Sequence, residues 1–113
     1  MIKSLHREIA LLSIQAAPEE VCGFVVDGSP IRCINHSQTP EESFLISADD
    51  YLENDSSVIF HSHPVGTLGF SEHDLAVAAN MELTSYVYIV ESDRLEQWSA
   101  KSGLQTFIGV LSS

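Results

Sequence analysis

Positive charge is what this chain has least of: five Lys and Arg stand against sixteen Asp and Glu, a formal charge of −11. A surface of that sign repels phosphate backbones, which excludes nucleic acid as an expected partner and favours a neutral or basic polypeptide. Long apolar runs are missing too. No stretch approaches the roughly 18–20 apolar residues that span a bilayer. Met1 to Glu8 is charged and amphipathic and has no signal-peptide core, so a soluble, cytoplasmic protein is expected. Cysteine is confined to Cys22 and Cys33. Two thiols make no disulfide framework, and without Cys-x-x-Cys there is no thiolate zinc cage. The two fall in neighbouring strand-like runs, so a bridge is geometrically conceivable, but reduced thiols are expected in a cytoplasmic chain.

What is present suffices for one domain over residues 1–113, with 44% apolar residues to build its core. Ile2, Leu5, Ile9, Leu12 and Ala16 follow a helical spacing that stops before Pro18. "VCGFVV", the turn signal "DGSP" and "IRCINH" predict a hairpin. Residues Ser37 to Ser43 are polar and loop-like, "FLI" suggests a short strand, and "SADDYLEN" a helix capped by Ser47. "SVIF" is a buried strand leading into a histidine-rich loop. Ser71 then caps a helix "EHDLAVAANMEL", with Glu72 and Asp74 in its first turn. "SYVYIV", "LEQWSA" and "LQTFIGVL" supply further strands, separated by the turns "ESD" and "KSG". Strands and helices mix without strict alternation, which predicts an α/β (α+β) fold: a mixed sheet flanked by helices.

The chemistry gathers in "IFHSHPVGTLGFSEHD", Ile59 to Asp74, which holds three of the five histidines. In extended chain, residues i and i+2 face the same way, so His61 and His63 project together. Two neutral imidazoles suit zinc, and a third, anionic ligand would complete a catalytic site that keeps one open position. Asp74 is the candidate, with Gly66 and Gly69 letting the loop return. A two-histidine, one-carboxylate site lowers the pKa of a bound water from 15.7 toward about 7. Amide hydrolysis also needs a base and an oxyanion donor. Ser71 can be that donor or simply a helix cap. Glu19 and Glu20, at the mouth of the first strand, are the candidate bases, and either can equally be a solvated turn residue. His6, His36 and His73 are expected at the surface, with Cys22, Trp98 and Phe107 in the core.

"HSHPVGTLGFSEHD" fits His-x-His-Pro, six further residues, then Ser-x-x-Asp, and so resembles the signature of the JAMM (MPN-plus) zinc metalloproteases. "PEEVCGF" resembles the segment that carries that family's catalytic glutamate. The resemblance implies a JAMM/MPN domain of cytidine-deaminase-like architecture, with His61, His63 and Asp74 as Zn2+ ligands. It implies Glu20 rather than Glu19 as general base, and Ser71 as the residue steadying the tetrahedral intermediate. It covers nearly the whole chain. The short form, without large insertions, resembles the bacterial and bacteriophage branch, which includes phage tail-assembly proteins and enzymes that trim ubiquitin-like or sulfur-carrier proteins. The implied activity is hydrolysis of a peptide or isopeptide bond in a polypeptide bound as an extended strand, with glycines favoured near the cut; a homodimer is compatible with it. The rival expectation is a non-catalytic scaffold or tail-assembly component of the same fold. A zinc nucleoside deaminase would require Pro-Cys-x-x-Cys, which the chain lacks.

Overall fold

Pro18 sets the end of the first helix, because a proline restricts the residue before it to extended backbone. The computed structural model describes residues 2–112, with side chains from Ser4, and places α1 at Ile2–Ala16. The expected apolar stripe is the buried one: Leu5 and Ile9 face inward with Ala10, and Leu12 and Ala16 pack at the rim. Ser13 is fully buried on this face and discharges its hydroxyl by donating to the Ile9 carbonyl at 2.7 Å. The side chain of Ile2 lies outside the described residues.

Six strands form one sheet in the order β2-β1-β3-β4-β5-β6. They are β1 (Cys22–Val26), β2 (Ser29–Cys33), β3 (Val58–His63), β4 (Thr84–Ile89), β5 (Arg94–Ser99) and β6 (Gly103–Ile108). Two short helices lie between strands, α2 (Ala48–Glu53) and α3 (Glu72–Asn80). Only β3 and β4 run parallel, and α3 supplies the crossover that parallel neighbours require. The other neighbours are antiparallel.

Each face of the sheet has its own core. On one face α1 covers Val21, Val25, Phe60, Tyr86, Tyr88 and Leu95. On the other, Cys22, Phe24 and Ile59 pack with Ile46, Ala78 and Leu83. Period-two alternation along β3 therefore decides the site: Ile59, His61 and His63 share the face opposite α1.

Several expectations change. The histidines stand inside β3, not in a loop after it. "FLI" forms no strand; Phe44 and Ile46 instead pack over the second core as irregular chain. The hairpin return begins at Ser29, taking in Pro30, and stops at Cys33. Proline is admissible there because β2 is an edge strand. "ESD" belongs to a 3₁₀ turn, Val90–Ser92, and β5 begins at Arg94. His6 is buried at 5% exposure, with its ring 4.4 Å from that of Phe107. The apolar-stripe reading passed over it because it lies one residue beyond Leu5, where α1 still faces the sheet. His36 and His73 are exposed as expected, Cys22 is fully buried, and Trp98 and Phe107 are half-buried. Both cysteines are free thiols. Among the described residues no helix is long and apolar enough to cross a membrane.

Candidate metal centre

The end of β3 and the start of α3 bring three donor atoms to one point. His61 Nε2 lies 3.2 Å from His63 Nε2 and 3.2 Å from Asp74 Oδ2. His63 Nε2 is 3.4 Å from the same carboxylate oxygen. Donors around a tetrahedral zinc, with bonds of about 2.0–2.1 Å, stand about 3.3 Å apart. The triangle thus has the edge lengths such an ion asks for.

Local structure fixes each of the three side chains. Ser71 caps α3: its Oγ accepts from the Asp74 amide at 3.0 Å, and Asp74 Oδ2 accepts from the Ser71 amide at 3.0 Å. This reciprocal capping box ties down two amides that the first turn leaves unbonded. It also aims the Asp74 carboxylate at the histidines. Ser71 Oγ accepts one bond here, so its own proton is available to donate. The cap and donor roles do not compete.

His63 Nδ1 donates to the Leu68 carbonyl at 3.0 Å; in the neutral ring this makes Nε2, on the side of Asp74 and His61, the nitrogen that can ligate. His61 is fully buried, with Phe44 stacked on its ring at 4.4 Å. Its Nδ1 has no partner. Burial holds the His61 pKa below its ordinary value, although Asp74 works against it. For His63 burial pulls the same way, but the bonds to Asp74 and the Leu68 carbonyl and the nearby Glu20 charge outweigh it and the pKa rises. Burial alone would raise Asp74; its bonds to both imidazoles hold it well below the usual carboxylate range.

Glu20 completes the group: donor atoms of Glu20, His61 and His63 all lie within 4.8 Å of one another, a cluster that can hold a metal ion. Two three-donor sets therefore share the histidines. The Asp74 set is the tighter, at 3.2–3.4 Å. Glu20 is buried at 6% exposure, whereas Glu19 is exposed. Burial pushes the Glu20 carboxyl up to about 7, with the His63 charge opposing and the Asp74 charge assisting.

Three contacts that the sequence did not suggest hold Glu20 in place. Its amide donates to the Pro40 carbonyl at 2.7 Å. Its carbonyl accepts from Asn35 Nδ2 at 3.1 Å, and the same Asn35 side chain also bonds Ser43, Ser37 and Leu45. The next amide, Val21, donates to Ser62 Oγ at 2.8 Å. Ser62 occupies the variable position of His-x-His, so nothing in the motif drew notice to it.

The site opens into a cleft of about 1390 Å³, larger than the usual 300–1,000 Å³ of a small-molecule pocket. Four carboxylates (Glu20, Glu41, Glu42, Asp74) and, among the described residues, no Lys or Arg line it. Exposed Leu45, Val65 and Leu68 form its apolar rim.

Comparison with known proteins bears on the family and the fold. A sequence profile of prokaryotic homologs of the JAB domain matches residues 3–101. No curated protein matches. The solution structure of protein DSY2949 from Desulfitobacterium hafniense superposes with a TM-score of 0.65 at 18% identity, covering 93% of this chain and 86% of that one. At that identity the likeness establishes the shared fold.

Proposed function

Because this chain belongs to the prokaryotic homologs of the JAB domain, we propose that it is a zinc-dependent peptidase or isopeptidase. The observation that carries the reading is the meeting of His61 Nε2, His63 Nε2 and Asp74 Oδ2 beside a buried Glu20. His61, His63 and Asp74 would hold the ion and Glu20 would stay free as the base. When bound, zinc polarises a scissile carbonyl and brings the pKa of water from 15.7 toward about 7.

The chain's own residues do the rest. Glu20, with a carboxyl near neutrality, accepts the water proton and returns it to the leaving amine; a base poised there is effective at physiological pH. Ser71 donates its free O–H to the oxyanion that forms as the carbonyl is attacked. The Leu68 carbonyl keeps the His63 imidazole in its ligating orientation. Phe44 excludes water from the inner face of His61.

The cleft supports a polypeptide substrate. Its acidic walls suit a neutral or basic segment, and its volume of about 1390 Å³ leaves room for an extended chain. Ubiquitin-like and sulfur-carrier proteins with flexible tails and phage tail proteins are the candidates to test, in a cytoplasmic setting.

The decisive experiment pairs elemental analysis with hydrolysis of a peptide and fusion panel. Wild-type protein should purify with, or take up, one zinc per chain. Glu20→Gln should keep the zinc and lose roughly 10²–10⁴-fold in rate. A Glu20→Gln protein as active as wild type removes Glu20 as base. Stoichiometric zinc without cleavage of any panel member would instead favour a scaffold or tail-assembly role.

A further inference from the structure

Beyond the ligands and the base, the structure assigns a positioning role to Arg94 and Glu96: from two strands away, they hold the loop that orients His63. The inference rests on the metal-centre reading above.

The rows of the sheet explain the placement. His61 lies opposite Val87, and Val87 opposite Glu96; His63 lies opposite Ile89, and Ile89 opposite Arg94. Residues opposite one another in neighbouring strands share a face, so Arg94 and Glu96 stand on the histidine side of the sheet. Two strand spacings put them roughly 10 Å from the histidine pair. The loop between β3 and α3 crosses that gap.

Four of its residues are tied as it crosses. The Gly66 amide donates to Glu91 Oε2. The Thr67 carbonyl accepts from Arg94 Nη2 at 2.7 Å. The Leu68 carbonyl accepts from His63 Nδ1 at 3.0 Å, and the Phe70 amide donates to Glu96 Oε1 at 3.0 Å. Arg94 Nε and Glu96 Oε2, 3.6 Å apart, brace each other, and both side chains are largely buried. The Leu68 carbonyl, which selects the ligating tautomer of His63, thus sits between two anchored peptides. Gly69 is part of the device: a Cβ there would overlap the Glu96 carboxylate. It is glycine because the acid must reach past it to the Phe70 amide.

A carboxylate accepting from a loop amide and a guanidinium donating to a loop carbonyl are complementary, charge-assisted bonds. Neither group reaches the histidines. Their effect passes through backbone, so they are positioning residues.

The test uses the whole chain, and its first readout needs no metal. In metal-free protein, at a pH high enough for the His63 ring to be neutral, its ¹⁵N spectra should report the Nδ1–H form in wild type. Arg94→Ala, Glu96→Ala and Gly69→Ala should each shift that ring toward a mixture of both tautomers and speed exchange of the Phe70 amide. Zinc affinity by chelator competition should fall about 10–100-fold, as for other supports behind metal ligands. Glu96→Gln keeps an acceptor for Phe70 and should recover most of the affinity, which a generally weakened fold would not. Lys101→Ala, in the β5–β6 turn, is the control for altered charge. Folded Arg94→Ala and Glu96→Ala proteins with a wild-type His63 spectrum and affinity would overturn the proposal while leaving the metal centre intact. A wild-type chain that binds no zinc would overturn the metal reading and the affinity claim. The loop-positioning claim would then be decided by the His63 spectrum alone.

Discussion

Ser62 and Val21 exchange a matched pair of bonds: the Ser62 amide donates to the Val21 carbonyl at 3.1 Å, and the Val21 amide donates to Ser62 Oγ at 2.8 Å. The hydroxyl stands in for the backbone acceptor that would continue the β1–β3 ladder. Glu20, one residue earlier, inherits its position from this join. Ser62→Ala strips the partner from a buried amide, which costs about 1–3 kcal/mol. Urea unfolding should show that loss, and turnover should drop even where bound zinc is unchanged. A Ser62→Ala protein of wild-type stability would show that Val21 finds another acceptor.

The metal should also be visible in stability. A ligand that binds only the folded state adds about 2.7 kcal/mol at a concentration 100 times its Kd. Zinc should therefore raise the Tm of wild type, and chelator should reverse the rise. His63→Ala and Asp74→Asn each remove a donor from the 3.2–3.4 Å triangle, so their Tm should be insensitive to zinc. A zinc-dependent Tm retained in His63→Ala would place the ion elsewhere.

His6 gives the fold a pH dependence of its own. Burial lowers its pKa below 6.5, because an imidazolium packed against Phe107 and Tyr86 would lose its hydration. In the unfolded chain the same ring titrates near its ordinary value. Between the two pKa values the unfolded state holds more protons, so stability falls as pH drops through about 6.5. His61 acts in the same sense; His63 and Glu20, whose pKa values are raised, act in the opposite one. In metal-free protein, His6→Phe should flatten the decline seen between about pH 7.5 and 5.5 in urea titrations. An unchanged slope would assign the dependence to the cluster of His61, His63 and Glu20.

These contacts mark where the sequence was legible. Spacing located α1, every strand of the sheet and the caps at Ser47 and Ser71, because periodicity and capping are local. The His-x-His pair and Asp74 followed for the same reason. The supports did not. Arg94 and Glu96 share the period-two spacing of His61 and His63, but they join the histidine rows only through β4, whose pairing with β3 links residues about 26 apart along the sequence. Asn35 reads as one more residue of the return strand until the 37–45 loop folds back over it. His6 and Phe44 are core positions defined by what packs on them, which a one-dimensional pattern does not contain.

The segment "EEVCGF" shows how a motif can mix chemistry with packing. Glu20 is the only member that reaches the histidines. Cys22 is fully buried on the face of the second core, and its thiol is pushed up to about 12, first by burial and then by nearby Cys33 and Glu20. Burial keeps it a neutral thiol at neutral pH, the form that is a poor nucleophile. Gly23 is required by closeness: a Cβ there would overlap the Ile31 carbonyl oxygen and crowd the Phe60 ring. Cys22→Ala should therefore keep zinc and activity at a modest loss of stability, measured by thermal melting. Gly23→Ala must push β2 away from β1 or displace Phe60, and overpacking of that kind costs about 1–3 kcal/mol. Its urea midpoint should fall further than that of Cys22→Ala, and turnover should fall with it, since the β1 backbone carries Glu20. The reverse order, a silent Gly23→Ala and a dead Cys22→Ala, would mean that the thiol takes part in the chemistry.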